Sequence, residues 1–318
     1  MKKILVIGAA GQIGSELVPA LRLNYGEANV VASDINPNAT GDWKESGPFE
    51  VIDALSADSV SEVVKKYNID AIYNLAALLS ARGEADPQLA WKVNMGALLN
   101  ILEIAKAFNC SIFTPSSIGA FGPDTPRDNT PQDTIQRPTT MYGVTKVAAE
   151  LLSDYYHLKF GVDARSVRFP GIISNVTPPG GGTTDYAVDI YYAAVENRPF
   201  SCFLAQGTYL DMMYMPDALR AAIELMEADS IKLKHHNSFN VTAMSFAPEE
   251  IYAAIKRRKP EFSMDYQVDP VRQAIADSWP RHMDDTAART EWGWNHRYDL
   301  EKMTDDMLEK LTKRLNKC

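Results

Sequence analysis

Tyr142-Gly-Val-Thr-Lys146 sets a phenol and an ammonium four residues apart, which on a helix puts both on one face. A free phenol titrates near pH ~10, so a tyrosine that takes a proton at neutral pH needs ~3–4 kcal/mol of preferential stabilisation of its anion. A surface ion pair is too weak for this, whereas a lysine in a dry site, helped by positive charge on a bound cofactor, is strong enough. Tyr142 is then expected to act as general base on an alcohol while a hydride leaves the same carbon. Taken alone the spacing is common on helices and reads most simply as a structural pair; its company changes that reading. Pro115-Ser116-Ser117-Ile-Gly-Ala-Phe-Gly122 follows a predicted strand, on the side where open parallel sheets bind ligands. A hydroxyl there could hold the reacting oxygen. Side chains alternate along an extended chain, so one serine faces the site more easily than its neighbour. Ser117 is expected to face it, with Ser116 beside the cofactor; loop capping is the alternative for both.

These groups need a frame, and the first half of the chain alternates short apolar runs with longer amphipathic ones. Strands are predicted over 3–7, 30–33, 49–52, 71–74, 111–114 and 164–168, and helices over 12–24, 56–66, 88–108 and 140–159. The alternation implies an α/β fold, a doubly wound parallel sheet with right-handed crossovers. Beyond Arg168 the rhythm breaks at Thr177-Pro-Pro-Gly-Gly-Gly-Thr-Thr184, a loop of turn residues. A helix over 216–228 and a late strand over 239–241 suggest that the chain returns to the sheet. The expected division is therefore a cofactor domain over 1–170 and a smaller, interleaved substrate lobe over 171–318, with about 208–242 returning to the first. The segment 300–315 reads as a charged amphipathic surface helix.

Directly after the first strand, Gly8-Ala-Ala-Gly11-Gln-Ile-Gly14 leads into a helix, the context required of a dinucleotide fingerprint. Gly8 makes the sharp turn, Gly11 lets the backbone approach a pyrophosphate, and Gly14 allows the helix to pack closely on the strand. The amides around Gln12 and Ile13 then face the phosphates. Asp34, twenty residues past Gly14 at the end of the second strand, can accept both ribose hydroxyls of an adenosine. A phosphate on the 2′ oxygen would meet a like charge there, and no Lys or Arg follows before Lys44, so NAD is favoured over NADP. Asp53, followed by Ala54, could reach the adenine amino group or cap the helix over 56–66.

Composition removes other classes. The 318 residues are 46% apolar, enough for an ordinary core, which excludes disorder and disulfide-stapled miniature folds. With 32 Lys plus Arg against 41 Asp plus Glu, the net charge of −9 does not suit a generic nucleic-acid or anionic-membrane surface. Cys110, Cys202 and Cys318 form no C-x-x-C pair, and the histidines at 157, 235, 236, 282 and 296 have no H-x-x-x-H spacing, so neither a zinc ribbon nor a catalytic zinc is expected. No apolar run approaches the ~20 residues of a membrane span. A buried-strand pattern from Lys3 leaves no room for a leader, so a cytoplasmic, reducing location is expected.

Together, G-x-x-G-x-x-G, Asn74-Leu-Ala-Ala77, Ser117 and the Tyr142–Lys146 pair resemble the extended short-chain dehydrogenase/reductase family over nearly the whole chain. The resemblance implies a Rossmann-type sheet with NAD beside Leu75, Ala76 and Ala77. It matches Asn94 to a helix asparagine that supports an active-site water and the lysine, and Phe169, Pro170 and Ile172 to the segment closing over the nicotinamide. Ile7 stands where that family usually has Thr. Within the family, 166–174, the loop over 178–187 and Asp277-Ser-Trp-Pro280 resemble the L-threonine 3-dehydrogenase branch. That implies NAD-dependent oxidation of threonine C3 to 2-amino-3-oxobutanoate, which loses CO2 or is cleaved by a partner ligase toward glycine. Tyr142 would be the base, Lys146 the ribose ligand and Ser117 the hold on the substrate oxygen.

For the amino acid itself Ser80, Thr183 and Thr184 are expected carboxylate donors, near the amides of Gly180 to Gly182, with Trp279 closing the pocket; loop hydrogen bonds and lobe packing are the rival readings. Asp185 is an ammonium partner by charge alone, although acidic loop residues are usually solvated. The resemblance also implies a homodimer through a four-helix interface of the helices over 88–108 and 140–159. The rival activity is a nucleotide-sugar epimerase or dehydratase, which needs a long diphosphate cleft for which Arg272, Arg281 and Arg289 are the available cations. A non-enzymatic NAD sensor would not need the intact Ser117, Tyr142 and Lys146.

Overall fold

The computed structural model describes residues 2–178 and 180–316, so Pro179 of the glycine-rich loop and Cys318 lie outside the described residues. In chain order the first part comprises β1 (Ile4–Ile7), α1 (Gly14–Tyr25), β2 (Val30–Asp34), α2 (Asp42–Glu45), β3 (Phe49–Val51), α3 (Ala57–Tyr67) and β4 (Ala71–Asn74). It continues through α4 (Ser80–Ala85), α5 (Pro87–Phe108), β5 (Ser111–Phe113), β6 (Ser116–Ser117), α6 (Met141–Phe160), β7 (Ala164–Arg165), β8 (Val167–Phe169) and β9 (Gly171–Ile173). The second part holds α7 (Tyr186–Val195), β10 (Phe200–Cys202), β11 (Leu210–Tyr214), α8 (Met215–Glu227), β12 (Phe239–Asn240), β13 (Met244–Phe246) and α9 (Pro248–Arg258). It ends with β14 (Met264–Tyr266), α10 (Pro270–Asp277), α11 (Thr286–Trp292) and α12 (Leu300–Leu315).

Six strands pair in parallel in the order β3-β2-β1-β4-β5-β7. The chain runs outward from β1 to β3, crosses back, and continues from β4 the other way. The switch between β1 and β4 opens a crevice at the strands' carboxyl ends. Ile4, Leu5, Val6 and Ile7 are all buried, as a central strand covered on both faces requires. One face packs on α1 and α8 through Leu17, Leu21, Ala221 and Leu225; the other packs on α3 and α5 through Val60, Val64, Leu98 and Ile101. A further core joins α7, α9 and α12 through Tyr191, Ile251 and Met307. The expected α/β architecture is therefore present. Among the described residues no helix is long and apolar enough to cross a membrane.

Several boundaries fall where local chemistry ends an element. The expected helix starts at 56 and 140 are caps: Ser56 Oγ accepts from Ser59 N and Thr140 Oγ1 from Gly143 N. The strand expected over 164–168 is two strands because its partner changes. β7 pairs with β5, whereas β8 pairs with β6 and β12, and Ser166 between them bonds Asn237 and Ser238 N at 2.5 and 2.9 Å. Helix α7 lacks the one-sided pattern that marks surface helices, since Tyr186, Ala187, Val188, Ile190, Tyr191, Ala193 and Ala194 are all buried.

Candidate active site

The crevice begins at the glycine turn. Gly8 has φ +86° and its amide and that of Ala9 both donate to Ser33 O at 2.9 Å, which folds the turn onto β2. A Cβ on Gly14 would stand 2.2 Å from Gly8 O and 2.7 Å from Ala9 Cα, so only glycine lets α1 start this close to the strand. Ile13 occupies the N-cap position without a side-chain cap. Among the described residues nothing accepts from the amides of Gln12, Ile13 and Gly14, which leaves a helix N-terminus able to bind a pyrophosphate. Asp34 accepts from Ala10 N and Asn36 N at 3.0 Å each, tying the turn to the end of β2 while keeping a carboxylate at its edge. Lys44, the next cation in sequence, donates to Pro37 O at 2.8 Å. The turn thus fits a dinucleotide with an unphosphorylated ribose.

The cleft beyond it is lined by Gly8, Gly11, Gln12, Ile13 and Gly14, by Leu75 and Ala77, by Ser116, Ser117, Tyr142 and Lys146, and by Phe169, Pro170 and Ile172. Ser80, Thr183, Thr184, Asp185 and Trp279 line the same space. Asp34, Asp53, Ala54, Ala76 and Asn94 do not; Asp34 stands beyond its edge, at the end of β2. Asp53 is exposed and accepts from Leu55 N at 2.9 Å; the capping role open to it in the sequence belongs to Ser56. Ala54 O accepts from Asn100 Nδ2 at 3.1 Å, and Ala76 packs into the core beneath the sheet. Leu79, Pro115, Ile118 and Gly171 also line the cleft although the sequence singles out none of them as a site residue; each is the chain neighbour of one that it does, Ser80, Ser116, Ser117 and Pro170.

At the reacting centre Lys146 is buried and donates to Pro115 O at 2.6 Å, with Nζ 5.3 Å from the centre of the Tyr142 ring. Tyr142 packs against Gly119, where a Cβ would come within 3.2 Å of the ring. Ser116 and Ser117 diverge as alternation requires: Ser116 Oγ turns back to donate to Glu150 Oε1, while Ser117 Oγ accepts from Gly119 N at 3.1 Å. Asn94 reaches α6 through Thr145 and not through Lys146 directly. Its Nδ2 donates to Thr145 Oγ1 and Leu78 O, its Oδ1 accepts from Leu78 N, and Thr145 Oγ1 donates to Tyr142 O at 2.8 Å. Glu84 of α4, unmarked in the sequence, accepts from Met141 N at 2.6 Å at the start of α6.

On the opposite wall the loop after β9 is fastened to α1, with Ser174 Oγ donating to Glu16 Oε1 and Ser15 Oγ 2.8 Å from Thr177 Oγ1. Burial holds the Glu16 carboxyl above the usual carboxylate range, against the lowering effect of that Ser174 bond. Asp185 is not solvated as an acidic loop residue would be. Burial raises its carboxyl, and its Oδ2 accepts from Gly181 N and Gly182 N at 2.7 and 2.5 Å. Those two amides are therefore committed and unavailable to a ligand carboxylate. Thr183 and Ser80 are buried at the cleft wall, and Trp279 is buried among the apolar residues of the second lobe.

Trp279 O accepts from Arg127 Nε at 3.2 Å, and Thr130 N donates to His282 O and Asp284 N to Thr130 O, each at 2.9 Å, in a bridge between Thr130 and Met283. Asp211, with its carboxyl pushed up to about 8 by burial, accepts from Thr242 Oγ1 and Met283 N and so anchors the bridged segment at Met283. Arg272, Arg281 and Arg289 all stand outside the cleft, paired with Asp269 at 3.7 Å, Asp128 at 2.5 Å and Asp285 at 2.7 Å. Among the described residues no group of three or more His, Cys, Asp or Glu could hold a metal ion.

Comparison with known proteins gives a family match and several likenesses over nearly the whole chain. Residues 4–242 match the model of the NAD dependent epimerase/dehydratase family. An uncharacterized epimerase/dehydratase of Staphylococcus saprophyticus is 55% identical over 309 residues, 97% of each chain. Among solved structures, L-threonine dehydrogenase from Clostridium difficile superposes with a TM-score of 0.97 at 58% identity, covering 99% of this chain and 98% of that one. The holo form of a GalE-like L-threonine dehydrogenase from Cupriavidus necator gives 0.94 at 51% identity, covering 97% and 99%.

Proposed function

Because the chain belongs to the NAD dependent epimerase/dehydratase family, we propose that it oxidises the C3 hydroxyl of L-threonine to 2-amino-3-oxobutanoate. The observation that carries the reading is the meeting, in one cleft, of Ser117, Tyr142 and Lys146 with a compact polar wall of Ser80, Thr183, Thr184 and Asp185 under Trp279. A small zwitterion suits that wall. A nucleotide diphosphate would need cations, and Arg272, Arg281 and Arg289 are turned to other partners. The two threonine dehydrogenases above, at more than half identity, support the same substrate.

Bound NAD supplies the acceptor for the hydride that leaves C3. The chain's own residues do the rest. Tyr142 takes the proton of the C3 hydroxyl, and Ser117 donates to the same oxygen as it becomes a carbonyl. Lys146, held by Pro115 O, keeps a positive charge beside the phenol and reaches the nicotinamide ribose. Asp185 pairs with the substrate ammonium, the hydroxyls of Ser80, Thr183 and Thr184 receive the carboxylate, and Trp279 excludes water. Gly8, Gly11, Gln12, Ile13 and Gly14 hold the pyrophosphate and Asp34 the adenosine ribose, with Asp53 and Ala54 at the outer adenine end.

Residues 1–170 form the cofactor domain and 171–318 mainly the substrate lobe, with 208–242 returning to the sheet. Two copies join through α5 and α6, where Leu99, Leu151 and Leu158 are 45%, 63% and 84% exposed. Leu98 and Leu102, on the same apolar helix, are core residues and take no part.

The test is NADH formation by purified protein with NAD and L-threonine, run beside D-threonine, L-allo-threonine, L-serine and an NADP control. Turnover selective for L-threonine and NAD is expected. No oxidation of any of these amino acids by protein that binds NAD would reject the substrate and favour a nucleotide sugar.

A further inference from the structure

Behind the reacting centre lies a buried ion pair that the chemistry above does not use. Glu150, one helical turn beyond Lys146 and two beyond Tyr142 on α6, is buried, as is Arg168 of β8. Arg168 Nε donates to Glu150 Oε1 at 3.0 Å and Nη2 to Oε2 at 2.8 Å, a two-pronged pair. The remaining acceptor positions are filled as well: Ser116 Oγ donates to Oε1, and Gln136 Nε2 to Oε2 at 2.8 Å. Arg168 Nη1 goes on to Gln132 O at 2.8 Å and Asn240 Oδ1 at 3.1 Å.

The placement of these bonds is what matters. Ser116 pairs with Arg168, and Ser117 with Phe169, in the register of β6 on β8. The Glu150 carboxylate thus grips, at once, the strand that presents Ser117, the strand whose next residue walls the cleft, and the helix that carries Tyr142 and Lys146. Pro115, whose carbonyl holds Lys146 Nζ, immediately precedes the gripped Ser116.

We propose that Glu150 and Arg168 are positioning residues of the reaction centre, locking α6 to β6 and β8 as a neutral pair so that Ser117, Tyr142 and Lys146 meet without net charge behind the base. This rests on the reading of Tyr142 as that base. The other charged groups facing Tyr142 are Lys146 on its own helix, Glu84 at the start of α6 and Asp185 across the cleft. Those near Glu150 are Arg168 and Asp154, which shares Asn237 with the Glu150 carbonyl. Neutrality of the pair leaves Lys146 as the cation nearest the phenol.

Replacing one member separates position from charge. Glu150→Gln keeps the shape and an acceptor for Ser116 but leaves the Arg168 cation uncompensated beside position 150, which lies about 12 Å along α6 from Tyr142. The midpoint of the pH dependence of kcat is expected to fall by about half a pH unit, with KM for NAD unchanged within about twofold. Glu150→Gln combined with Arg168→Met removes that charge again; the midpoint returns to the wild-type value while kcat stays about tenfold low, because the lock is loosened.

A pair that only stabilises the fold would lower the melting temperature and leave the midpoint in place in both variants, and that result overturns the proposal. If these variants do not fold, Ser116→Ala removes only the hydroxyl contact. A fall in kcat of about tenfold with the pH midpoint unmoved, since the Glu150–Arg168 pair stays neutral, is then expected, and an unchanged kcat counts against the lock. Should wild-type protein not oxidise threonine, the substrate reading fails by itself. The phenolate absorbance of each protein minus that of its Tyr142→Phe counterpart still reports whether the phenol titrates lower in Glu150→Gln.

Discussion

On the cofactor side of the cleft, Gly8, Gly11 and Gly14 lie within seven residues of chain and are shaped by their own backbone. On the substrate side, Ser80, Thr183, Asp185 and Trp279 come from stretches roughly a hundred residues apart and meet only when the second lobe packs. The first wall offers a ligand amides and a helix end, groups any sequence possesses once glycine permits the approach. The second, in the proposed reading, uses particular side chains whose charge is costly to bury, as the raised carboxyl of Asp185 illustrates. A dinucleotide site of the first kind suits many reactions, whereas the second kind selects one substrate.

If the two walls act separately, substitutions on one should leave the other's ligand alone. The largest effect is expected where they meet. Tyr142→Phe should lower kcat by about a thousandfold or more, while NAD affinity measured by fluorescence titration stays within a few-fold. Normal turnover in that variant would remove Tyr142 as the base.

Next comes Gly14→Ala, whose new Cβ would meet Gly8 O at 2.2 Å. Overpacking of this kind costs about 3 kcal/mol, so thermal unfolding should shift down and NAD binding weaken sharply. A variant with unchanged melting temperature and NAD affinity would mean that the turn yields and that the close approach is not required.

Asp185→Asn should raise KM for L-threonine roughly thirtyfold, about 2 kcal/mol for a lost charged hydrogen bond, without changing NAD affinity. The pH dependence has a definite sign. Burial raises the Asp185 carboxyl, so its charge, and with it the grip on the ammonium, is lost as pH falls through a midpoint above the ordinary carboxylate range. Wild-type KM should therefore climb on acidification while that of the Asn variant stays flat. The same shift makes the empty site less stable as pH rises, so at neutral pH Asp185→Asn should unfold no more easily than wild type. Parallel KM profiles for the two proteins would put the ammonium elsewhere.

The smallest effect belongs to Asp34. Asp34→Asn, which keeps an acceptor for the turn amides, should raise KM for NAD by roughly fivefold, about 1 kcal/mol, and reduce discrimination against NADP. An unaltered preference would place the ribose out of its reach.

The same contrast explains what the sequence discloses. The strand, turn and helix of β1 and α1 are legible because a fully apolar run, three spaced glycines and an acidic residue at the end of β2 are all local signals. The divergence of Ser116 and Ser117 follows from alternation along a short strand. Helix α7 is not legible, since it buries most of its circumference and its less buried side carries Tyr192 and Val195 beside Asp189, too apolar to mark an amphipathic stripe. Asp185 looks solvated until the amides of Gly181 and Gly182 are seen to converge on it. Glu150 and Arg168 are eighteen residues apart, and Arg168 and Asn240 seventy-two, with no spacing that a local pattern could mark. Long-range hydrogen bonds decide such positions, and they exist only once the lobes have met.

The most direct test of C3 oxidation is to supply L-threonine deuterated at C3 with NAD and follow the label by mass spectrometry. Deuterium carried into the reduced cofactor, with 2-amino-3-oxobutanoate or its decarboxylation product formed in equal amount, is the predicted result. Reduced cofactor without deuterium, or no reduction with threonine while a nucleotide sugar is epimerised, would contradict it.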